Sequence, residues 1–384
     1  MYREFSMPSP VIFGCGAISV LGEKVKEKGC KKVLIICEKA IEDAGIVAKA
    51  EKSLKDAGVG YAVYNGVVAD PPDSIVDEAG EMAKREGADC LVGLGGGSSL
   101  DTAKAASILM TNPGPAKQYI SALPVVVDTT APLILIPTTA GTGSECTAVA
   151  IISRPDMNAK WSVFVNSSLA IVDPELTLSV PRSVTASTGM DAFAHAVESM
   201  TNIQGNHHSD LFAIAAIEKI SKYLAVCCDE PNNIEARTEM ALAANWAGLA
   251  FNNPIVHVGH AIADALSINF HTPHGYNCAL ALPETIAIVA PVIPDRVREI
   301  AKAMDLPLTG SETGEQLGTL VAGAVRDLMR KIGIKSLKEL GYTREKVMSL
   351  NTDVISSFLS TLCPVTIDEA LAEKLMAAVY DNYQ

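Results

Sequence analysis

Short apolar runs alternate with amphipathic segments through the first half of the chain. Apolar runs of this length predict strands, and apolar positions spaced three and four residues apart predict helices that bury one face. The predicted strands are at 11–13, 33–37, 61–64, 90–94 and 133–136, and the predicted helices are at about 18–27, 47–57 and 73–86. Because strands that alternate with helices pair in parallel, this half is predicted to be an α/β domain on a parallel sheet.

The strand signals end near residue 180. Two last short strands are predicted at 162–165 and 169–172, and their closeness along the chain favours a hairpin or a sheet edge. Beyond Pro181 the pattern indicates helices only, rich in alanine, at about 183–199, 209–225, 234–251 and 254–266. The chain is therefore predicted to consist of an α/β domain, residues 1–182, and an all-helical domain, residues 183–384.

Composition narrows the class of protein and of partner. The 384 residues are 48% hydrophobic, enough for two ordinary cores, and carry a net charge of −13 with no basic patch. This balance argues against nucleic acid or an anionic membrane as a partner. Nine cysteines without a CxxC pair, no long apolar stretch and no targeting segment at the N-terminus predict a cytoplasmic protein with buried thiols.

Three consecutive glycines follow the predicted strand at 90–94, in the segment GLGGGSSLDTAK. The pattern predicts that a helix opens there at Ser98 or Ser99. Glycines let the backbone approach a ligand closely, and the start of a helix offers N–H groups to an anion. The segment is neither a GxGxxG motif nor a Walker loop. The segment therefore predicts a phosphate site. The alternative is a glycine-rich tight turn that binds no ligand.

Two further features suit a nucleotide. The segment PTTAGTGSECT, residues 137–147, follows a predicted strand and is rich in glycine and small hydroxyl residues, so it could hold a phosphate or a nicotinamide. Glu38 ends the strand VLIICE, where a carboxylate accepts hydrogen bonds from ribose hydroxyls and repels a 2′-phosphate. This position favours NAD over NADP, and the alternative is a solvated glutamate at the end of a strand.

Five of the seven histidines lie in two segments, GMDAFAHAVES and HVGHAIADALSINFHTPHG. Asp191 and His195 are four residues apart on a predicted helix, so their side chains project from one face. Together with His260 and His274 they predict a site for one divalent metal. Three imidazoles and a carboxylate suit Fe(II), Zn(II), Mn(II) or Co(II), and no thiolate is expected to join them.

The chain resembles a known family, the iron-containing (group III) alcohol dehydrogenases, which includes lactaldehyde reductase, propanediol dehydrogenase and butanol dehydrogenase. The resemblance rests on GGGSSLDTAK, PTTAGTGSE, AIVDPELT, GMDAFAHAVES and HAIADALSINFHTPHG, in the family's order and approximate spacing. It implies a dehydroquinate synthase-like architecture with the metal in the cleft between an N-terminal dinucleotide-binding domain and a helical domain. It also implies a homodimer or larger homo-oligomer.

The resemblance assigns roles to individual residues. The family's metal ligands fall on Asp191, His195, His260 and His274. Its nucleotide-binding residues fall on Gly95, Gly96, Gly97 and Ser98 in the pyrophosphate loop, Asp101 behind it, Thr138, Thr139 and Ser144 in the second loop, Lys160 near the cofactor and Glu38 at the adenosine ribose. The implied cofactors are Fe(II), with zinc possible, and NAD, with NADP less favoured.

The implied reaction is reversible hydride transfer between an alcohol carbon and the nicotinamide, with the metal as Lewis acid. The family usually carries a second histidine one turn after His260, and here that residue is Asp264. We expect Asp264 or His271 to accept the released proton, directly or through the ribose or water. Equally, Asp264 could orient His260 from beside it. The resemblance offers no counterpart for His257 and His271, which are assigned to the surroundings of the metal.

Substrate and rival functions are less constrained. Ala148, Val149 and Phe251 are expected to border an apolar pocket, and no arginine or lysine accompanies the metal segments. This favours a small neutral primary alcohol or aldehyde over a hydroxy acid. A dehydroquinate-synthase-type lyase, which uses NAD and a metal on a related fold, and a non-catalytic nucleotide- and metal-binding relative are the alternatives.

Overall fold

The computed structural model describes residues 3, 5–121, 125, 127, 129–157 and 159–384. The chain divides into two compact units. The first is Met7–Val180, and the second is Pro181–Gln384 together with the N-terminal residues up to Ser6. Arg3 and Ser6 bind the rest of this unit, since Arg3 Nη2 donates to the carbonyl of Ile203 at 2.7 Å and the Ser6 amide donates to Asn253 Oδ1 at 2.8 Å.

The first unit is built on a six-stranded parallel sheet. Its strands are β1 (Val11–Phe13), β2 (Lys32–Glu38), β3 (Gly60–Val67), β4 (Cys90–Gly95), β5 (Leu133–Pro137) and β8 (Leu169–Val172), in the order β1-β8-β5-β4-β2-β3. Strands β4, β5 and β8 are buried along their whole length. Continuous burial explains why they appear in the sequence as uninterrupted apolar runs, as in sheets covered on both faces.

Helices cover this sheet, and alternate residues of β2 enter two separate cores. The helices are α1 (Leu21–Glu27), α2 (Lys39–Asp43), α3 (Ile46–Asp56), α4 (Asp73–Glu86) and α5 (Gly97–Leu109). Leu34 of β2 packs in one core with residues of α4 and α5, whereas its neighbours Val33 and Ile35 pack in the other with residues of α1 and α3. This alternation follows from the period of two along a strand.

The hairpin predicted from 162–165 and 169–172 is wrong. Strand β7 (Ala159–Phe164) pairs antiparallel with β6 (Val149–Arg154), which the sequence pattern missed, and these two form a separate sheet. Strand β8 instead joins the parallel sheet between β1 and β5. The physical reason is burial: β8 is apolar and buried throughout, as a central strand must be, whereas β6 alternates between buried and more exposed positions.

The second unit is helical, and none of its described residues forms a strand. Its helices are α6 (Arg182–Thr201), α7 (His207–Asp229), α8 (Ile234–Phe251), α9 (Val258–Phe270), α10 (His274–Val289), α11 (Pro294–Ala303), α12 (Gly314–Ile332), α13 (Arg344–Met348), α14 (Asn351–Ser356) and α15 (Glu369–Asp381). Within the described ranges, no helix is both long enough and apolar enough to cross a bilayer.

Helix α9 begins later than the sequence pattern predicts. The pattern extends the helix back to residue 254, but Ile255 has a left-handed backbone with φ of 56° and His257 is the N-cap with a non-helical backbone. The residues from Phe251 to Ile255 form a turn, closed by a hydrogen bond from the Ile255 amide to the Phe251 carbonyl, and the helix starts only after it. His257 is the N-cap, outside the helix, while His260 lies in the first turn of the helix.

Candidate metal centre and nucleotide loops

Helix α6 carries Asp191 and His195 in the interior of the helical unit. Their exposed fractions are 3% and 6%, and α6 is buried on almost every side from Thr185 to its end. Gly275, the second residue of α10, packs so closely on α6 that an added Cβ would lie 2.3 Å from the Ser187 carbonyl. This close approach brings the start of α10, and with it His274, against the face of α6 that carries the carboxylate.

One oxygen of Asp191 is surrounded by imidazole nitrogens. Asp191 Oδ1 lies 3.6 Å from Nε2 of His195, 3.8 Å from Nε2 of His260 and 3.7 Å from Nε2 of His274. It is buried and accepts no hydrogen bond from the described residues. These distances are too long for hydrogen bonds, yet they are close to the roughly 3.3–3.6 Å that separates ligands sharing one tetrahedral metal ion.

A thiol stands beside the same atoms. Cys278 Sγ is 3.7 Å from Nε2 of His260 and 3.5 Å from Nε2 of His274. One donor atom from each of Asp191, His260, His274 and Cys278 lies within 4.8 Å of all the others. The expectation that no cysteine is placed to join the site is therefore wrong. The missed signal was the spacing of four residues between His274 and Cys278, which places both on one face of α10.

The charges within the cluster give Asp191 and His195 the protonation states of metal ligands. They raise the pKa values of His260 and His274 above the usual histidine range, against the effect of burial and chiefly through Cys278. Burial acts to raise the pKa of Asp191, but the imidazoles of His195, His260 and His274 outweigh it and hold that pKa below its usual range. Burial lowers the pKa of His195 to about 4, against the opposing effect of Asp191. At neutral pH the carboxylate is therefore charged and the His195 imidazole is neutral, as ligands must be.

Glu198 is a second buried carboxylate that the sequence reasoning missed. Its Oε1 lies 3.2 Å from Nδ1 of His260, and its other oxygen accepts a hydrogen bond from the backbone amide of His257. Gly259 makes room for it, because an added Cβ there would lie 2.0 Å from Glu198 Oε1. Glu198 follows His195 by three residues on α6, and this spacing was the available signal.

Three further residues that the sequence placed near the metal, Asp264, His257 and His271, differ in their burial and in their contacts. Asp264 Oδ1 lies 3.4 Å from Nδ1 of His274, so Asp264 faces His274, whereas the carboxylate beside His260 is that of Glu198. His257 is fully buried, with Nε2 2.7 Å from Thr201 Oγ1. His271 is exposed at the left-handed C-cap of α9, with φ of 56°.

The triple-glycine loop joins β4 to α5. Gly95 has φ of 154°, and an added Cβ would lie 2.4 Å from Glu38 Oε2, so only glycine fits there. Gly96 is the N-cap and α5 begins at Gly97, so the predicted opening at Ser98 or Ser99 is wrong. The reason is that Ser99 is used otherwise: its hydroxyl donates to Glu38 Oε2 at 2.5 Å.

Glu38 is thus tied to the glycine loop. Burial raises the pKa of this carboxyl, while the hydrogen bonds from Ser99 and from the Gly96 backbone act to lower it. The alternative of a solvated glutamate at the end of a strand is wrong. The carboxylate lies where the backbone of β4 turns into α5, at the carboxyl edge of the parallel sheet where such folds bind nucleotides.

The second loop is fastened to the first. The Thr138 amide donates to the Gly95 carbonyl at 2.9 Å, and a Cβ added to Gly96 would stand 3.8 Å from Thr139. Ser144 Oγ donates to Asp101 Oδ1 at 2.6 Å, and Asp101 Oδ2 accepts from the Ile151 amide at 2.9 Å. Asp101 and Ser144 therefore bind each other and hold the loop in place.

Two other residues predicted to contact the nucleotide, Lys160 and Thr138, differ in whether their polar groups already have a partner. Lys160, on β7, pairs with Asp70 at 2.7 Å between Nζ and Oδ1. Thr138 Oγ1 is buried and has no hydrogen-bond partner among the described residues. The hydroxyl of Thr138 therefore retains its full capacity to bind a ligand, whereas the ammonium group of Lys160 is already partnered by a carboxylate that is half exposed.

Two family models together match most of the chain. The model described as iron-containing alcohol dehydrogenase matches residues 8–174. The C-terminal model of the Fe-containing alcohol dehydrogenase family matches residues 185–380. The chain belongs to the iron-containing alcohol dehydrogenase family. Membership confirms the predicted family, the predicted fold class and the prediction of a metal-dependent alcohol oxidoreductase, in preference to the lyase and non-catalytic alternatives.

Individual relatives of this iron-type alcohol dehydrogenase match it nearly end to end. It is 33% identical over 359 residues to choline dehydrogenase of Bacillus subtilis (strain 168), covering 92% of this chain and 89% of that protein. It is 32% identical over 348 residues to NAD-dependent methanol dehydrogenase of Bacillus methanolicus, covering 90% and 91%. The solved alcohol dehydrogenase from Oenococcus oeni is 34% identical, with a TM-score of 0.94 and coverage of 99% and 100%.

Proposed function

We propose that this iron-type alcohol dehydrogenase transfers hydride reversibly between a small neutral primary alcohol, or its aldehyde, and NAD. We assign its metal to Asp191, His195, His260 and His274, with Fe(II) as the first choice and Zn(II) as the second. The observation that carries the assignment is the buried Asp191 Oδ1, which lacks a hydrogen bond and faces three Nε2 atoms at 3.6–3.8 Å. An uncompensated buried carboxylate is costly, and a cation there compensates it.

When bound, such a metal supplies a Lewis acid for the alcohol or carbonyl oxygen. The chain's own residues orient the donors around it. The ring of Phe251 stacks on His195 with centroids 4.1 Å apart, which restricts rotation of that imidazole. Phe251 also offers an apolar wall beside the metal donors, in keeping with an uncharged substrate.

The proton released from the alcohol needs an acceptor. We place Asp264 first, because its carboxylate is 40% exposed and lies 3.4 Å from Nδ1 of His274, so it can exchange protons with solvent. His271 is the second candidate, since its side chain is exposed close to the start of α10. Neither residue is among the proposed metal ligands.

The proposed nucleotide site is made of the two loops of the α/β unit. Gly95, Gly96, Gly97 and Ser98 offer backbone N–H groups at the start of α5 to the pyrophosphate, and Thr138 and Thr139 offer hydroxyls, while Asp101, Ser144 and Lys160 support or border the loop. Glu38 favours NAD because its carboxylate, held at the loop by Ser99, repels a 2′-phosphate.

Metal analysis coupled to turnover tests this function. Protein purified without air or chelator should contain about one divalent ion per chain and should reduce NAD in the presence of a short alcohol. Asp191→Asn should lose most of the metal and most of the turnover, whereas His207→Gln, which changes an exposed histidine of α7, should keep both. Full turnover by a metal-free preparation would contradict the proposal.

The substrate class and the nucleotide preference are tested in the same assay. We expect NADH to accumulate faster with methanol, ethanol or propanediol than with a 2-hydroxy acid, and NAD to be used in preference to NADP. Turnover restricted to carboxylate-bearing alcohols would exclude the neutral-substrate proposal. A marked preference for NADP would exclude the role given to Glu38.

We further propose a cytoplasmic homodimer or larger homo-oligomer. All nine cysteines are free thiols, and seven of the eight buried ones lie outside the group of metal donors, which suits a reducing compartment. Strand β3 is at the edge of the parallel sheet, so its outer side could pair with another chain. The oligomeric state rests on the family resemblance, and light scattering during gel filtration would measure it directly.

A further inference from the structure

We infer that the thiolate of Cys278 binds the same metal ion as Asp191, His260 and His274 in the substrate-free enzyme. The carboxylate-and-imidazole set implied by the family resemblance does not include a sulfur ligand. The inference rests on the proposed metal site and adds a donor to it. Its consequence is a mixed sulfur, nitrogen and oxygen coordination sphere in place of one with nitrogen and oxygen only.

The distances around Cys278 are those of neighbouring ligands on one ion. With metal–nitrogen bonds of about 2.0–2.1 Å and a metal–sulfur bond of about 2.3 Å, ligand atoms that subtend about 90–120° at one ion lie roughly 3.1–3.8 Å apart. Sγ of Cys278 lies 3.5 Å from Nε2 of His274 and 3.7 Å from Nε2 of His260. The four donor atoms, including Asp191 Oδ1, lie within 4.8 Å of one another, so a single ion could contact them all after small side-chain shifts.

Asp191 supplies an independent reason to place a cation there. Its side chain is 4% exposed, and its Oδ1 lacks a hydrogen-bond donor among the described residues while facing the same imidazoles that Cys278 touches. A cation at the common centre would satisfy the carboxylate and the sulfur together. The side chain of Cys278 is held at this centre by α10, which is buried around it from Asn277 to Ile286.

The rival explanation is a neutral thiol that hydrogen-bonds to an imidazole. One S–H group has a single proton, so it can donate to only one of the two Nε2 atoms at a time. A metal engages both imidazoles and the sulfur simultaneously. Metal binding then releases the thiol proton to solvent, and the sulfur binds as the thiolate with no change of oxidation state.

Cobalt substitution tests the inference without relying on activity. The metal-stripped full-length protein is loaded with Co(II), and its bound cobalt and absorption spectrum are measured. A thiolate ligand gives a sulfur-to-cobalt charge-transfer band in the near ultraviolet, which imidazole and carboxylate ligands do not give. We expect the band in the wild type, its complete loss in Cys278→Ser and Cys278→Ala, and its retention in Cys15→Ser, which changes an exposed cysteine of the α/β unit.

The outcomes separate this inference from the proposed function. Bound cobalt with no charge-transfer band in the wild type would overturn the sulfur ligand and leave the metal site intact. A wild type that binds no cobalt would overturn the metal site and the sulfur ligand together. If the Cys278 variants do not fold, X-ray absorption of the zinc-loaded wild type decides: a sulfur neighbour at about 2.3 Å supports the inference, and a shell of nitrogen and oxygen alone overturns it.

Discussion

At the scale of single residues, the centre depends on which nitrogen of each imidazole faces inward. Glu198 lies 3.2 Å from Nδ1 of His260, and Asp264 lies 3.4 Å from Nδ1 of His274. A carboxylate at Nδ1 favours the tautomer that carries its proton on that atom, which leaves the Nε2 lone pair available to a metal. Two acidic side chains therefore orient two candidate ligands without joining the ligand set.

Glu198→Gln tests this orientation. Burial acts to raise the pKa of Glu198, but His260 and His257 lower it to about 2, so the side chain is charged at every physiological pH. Replacing this charge should weaken zinc binding by about 10- to 100-fold, because the His260 tautomer is no longer favoured. Competition with a chromophoric chelator measures the affinity.

The matched control for that variant is Glu218→Gln, which makes the same change at an exposed position of α7. It should leave the zinc affinity unaltered. Equal affinity of the wild type and Glu198→Gln would show that the carboxylate does not orient His260. A lower affinity accompanied by global unfolding would point to a structural role, so circular dichroism of the metal-free proteins must accompany the titration.

At the scale of elements, the buried side chain of Lys104 joins α5 to β6 by a hydrogen bond. Lys104 is fully buried, and its Nζ donates to the carbonyl of Val149, the first residue of β6, at 2.7 Å. On the same helix, Asp101 accepts a hydrogen bond from the Ile151 amide. Two opposite charges on α5 thus hold the hairpin, and through Ser144 the second nucleotide loop, against the helix that begins at the glycine loop.

Burial of Lys104 predicts a specific pH dependence of stability. Burial lowers the pKa of Lys104 to about 8, against the opposing effect of Asp101. Between that value and the ordinary lysine pKa, the unfolded chain carries a proton that the folded chain lacks. The contribution of Lys104 to the free energy of unfolding therefore increases as pH rises through this window, by at most about 1.4 kcal/mol per pH unit.

Denaturant titrations from pH 7 to 10 measure this effect as a difference between the wild type and Lys104→Met. The wild type should gain stability relative to the variant as pH rises above about 8. Lys31→Met, at an exposed position, should show no such trend. A difference that stays constant across this range would mean that Lys104 keeps its proton in the folded protein.

At the scale of the whole molecule, the two units carry different parts of the chemistry. The α/β unit, Met7–Val180, contains the glycine loop, and the helical unit contains the metal donors. Within the helical unit the donors come from α6, α9 and α10, so the centre exists only when these helices are packed together. A metal that binds the folded but not the unfolded chain must then stabilise this unit.

Metal removal should therefore lower the melting temperature of the wild type. At a metal concentration of 1,000 times Kd, the bound ion would contribute about 4 kcal/mol to the free energy of unfolding. Differential scanning calorimetry with and without a chelator measures the change. Asp191→Asn should melt at the same temperature in both conditions. An unchanged wild-type melting temperature after verified removal of the metal would contradict a site built from these helices.

The sequence by itself determined most of the helices and strands. It also led to the four proposed metal ligands, but not to Cys278 or Glu198 beside them. Apolar runs and helical spacing identified Val11–Phe13, Asp73–Glu86 and Ile234–Phe251 to the residue, because these elements bury side chains with a regular period. The spacing of Asp191 and His195 placed both on one helix face. Clustering of histidines along the chain was sufficient to propose His260 and His274, and the family resemblance separated them from His257 and His271.

Only the tertiary structure decided which strands pair and which side chains lie beside the proposed metal ligands. The pairing of β7 with β6, and of β8 with β1 and β5, depends on long-range packing that a local pattern does not record. Cys278 and Glu198 were missed for the same reason: a single thiol or carboxylate on a buried helix has many uses, and its distance to another helix selects one. The periodicity of a helix or strand can be read from residues that are close in the sequence. Contact between helices instead follows from close packing of distant residues, such as that of Gly275 on α6.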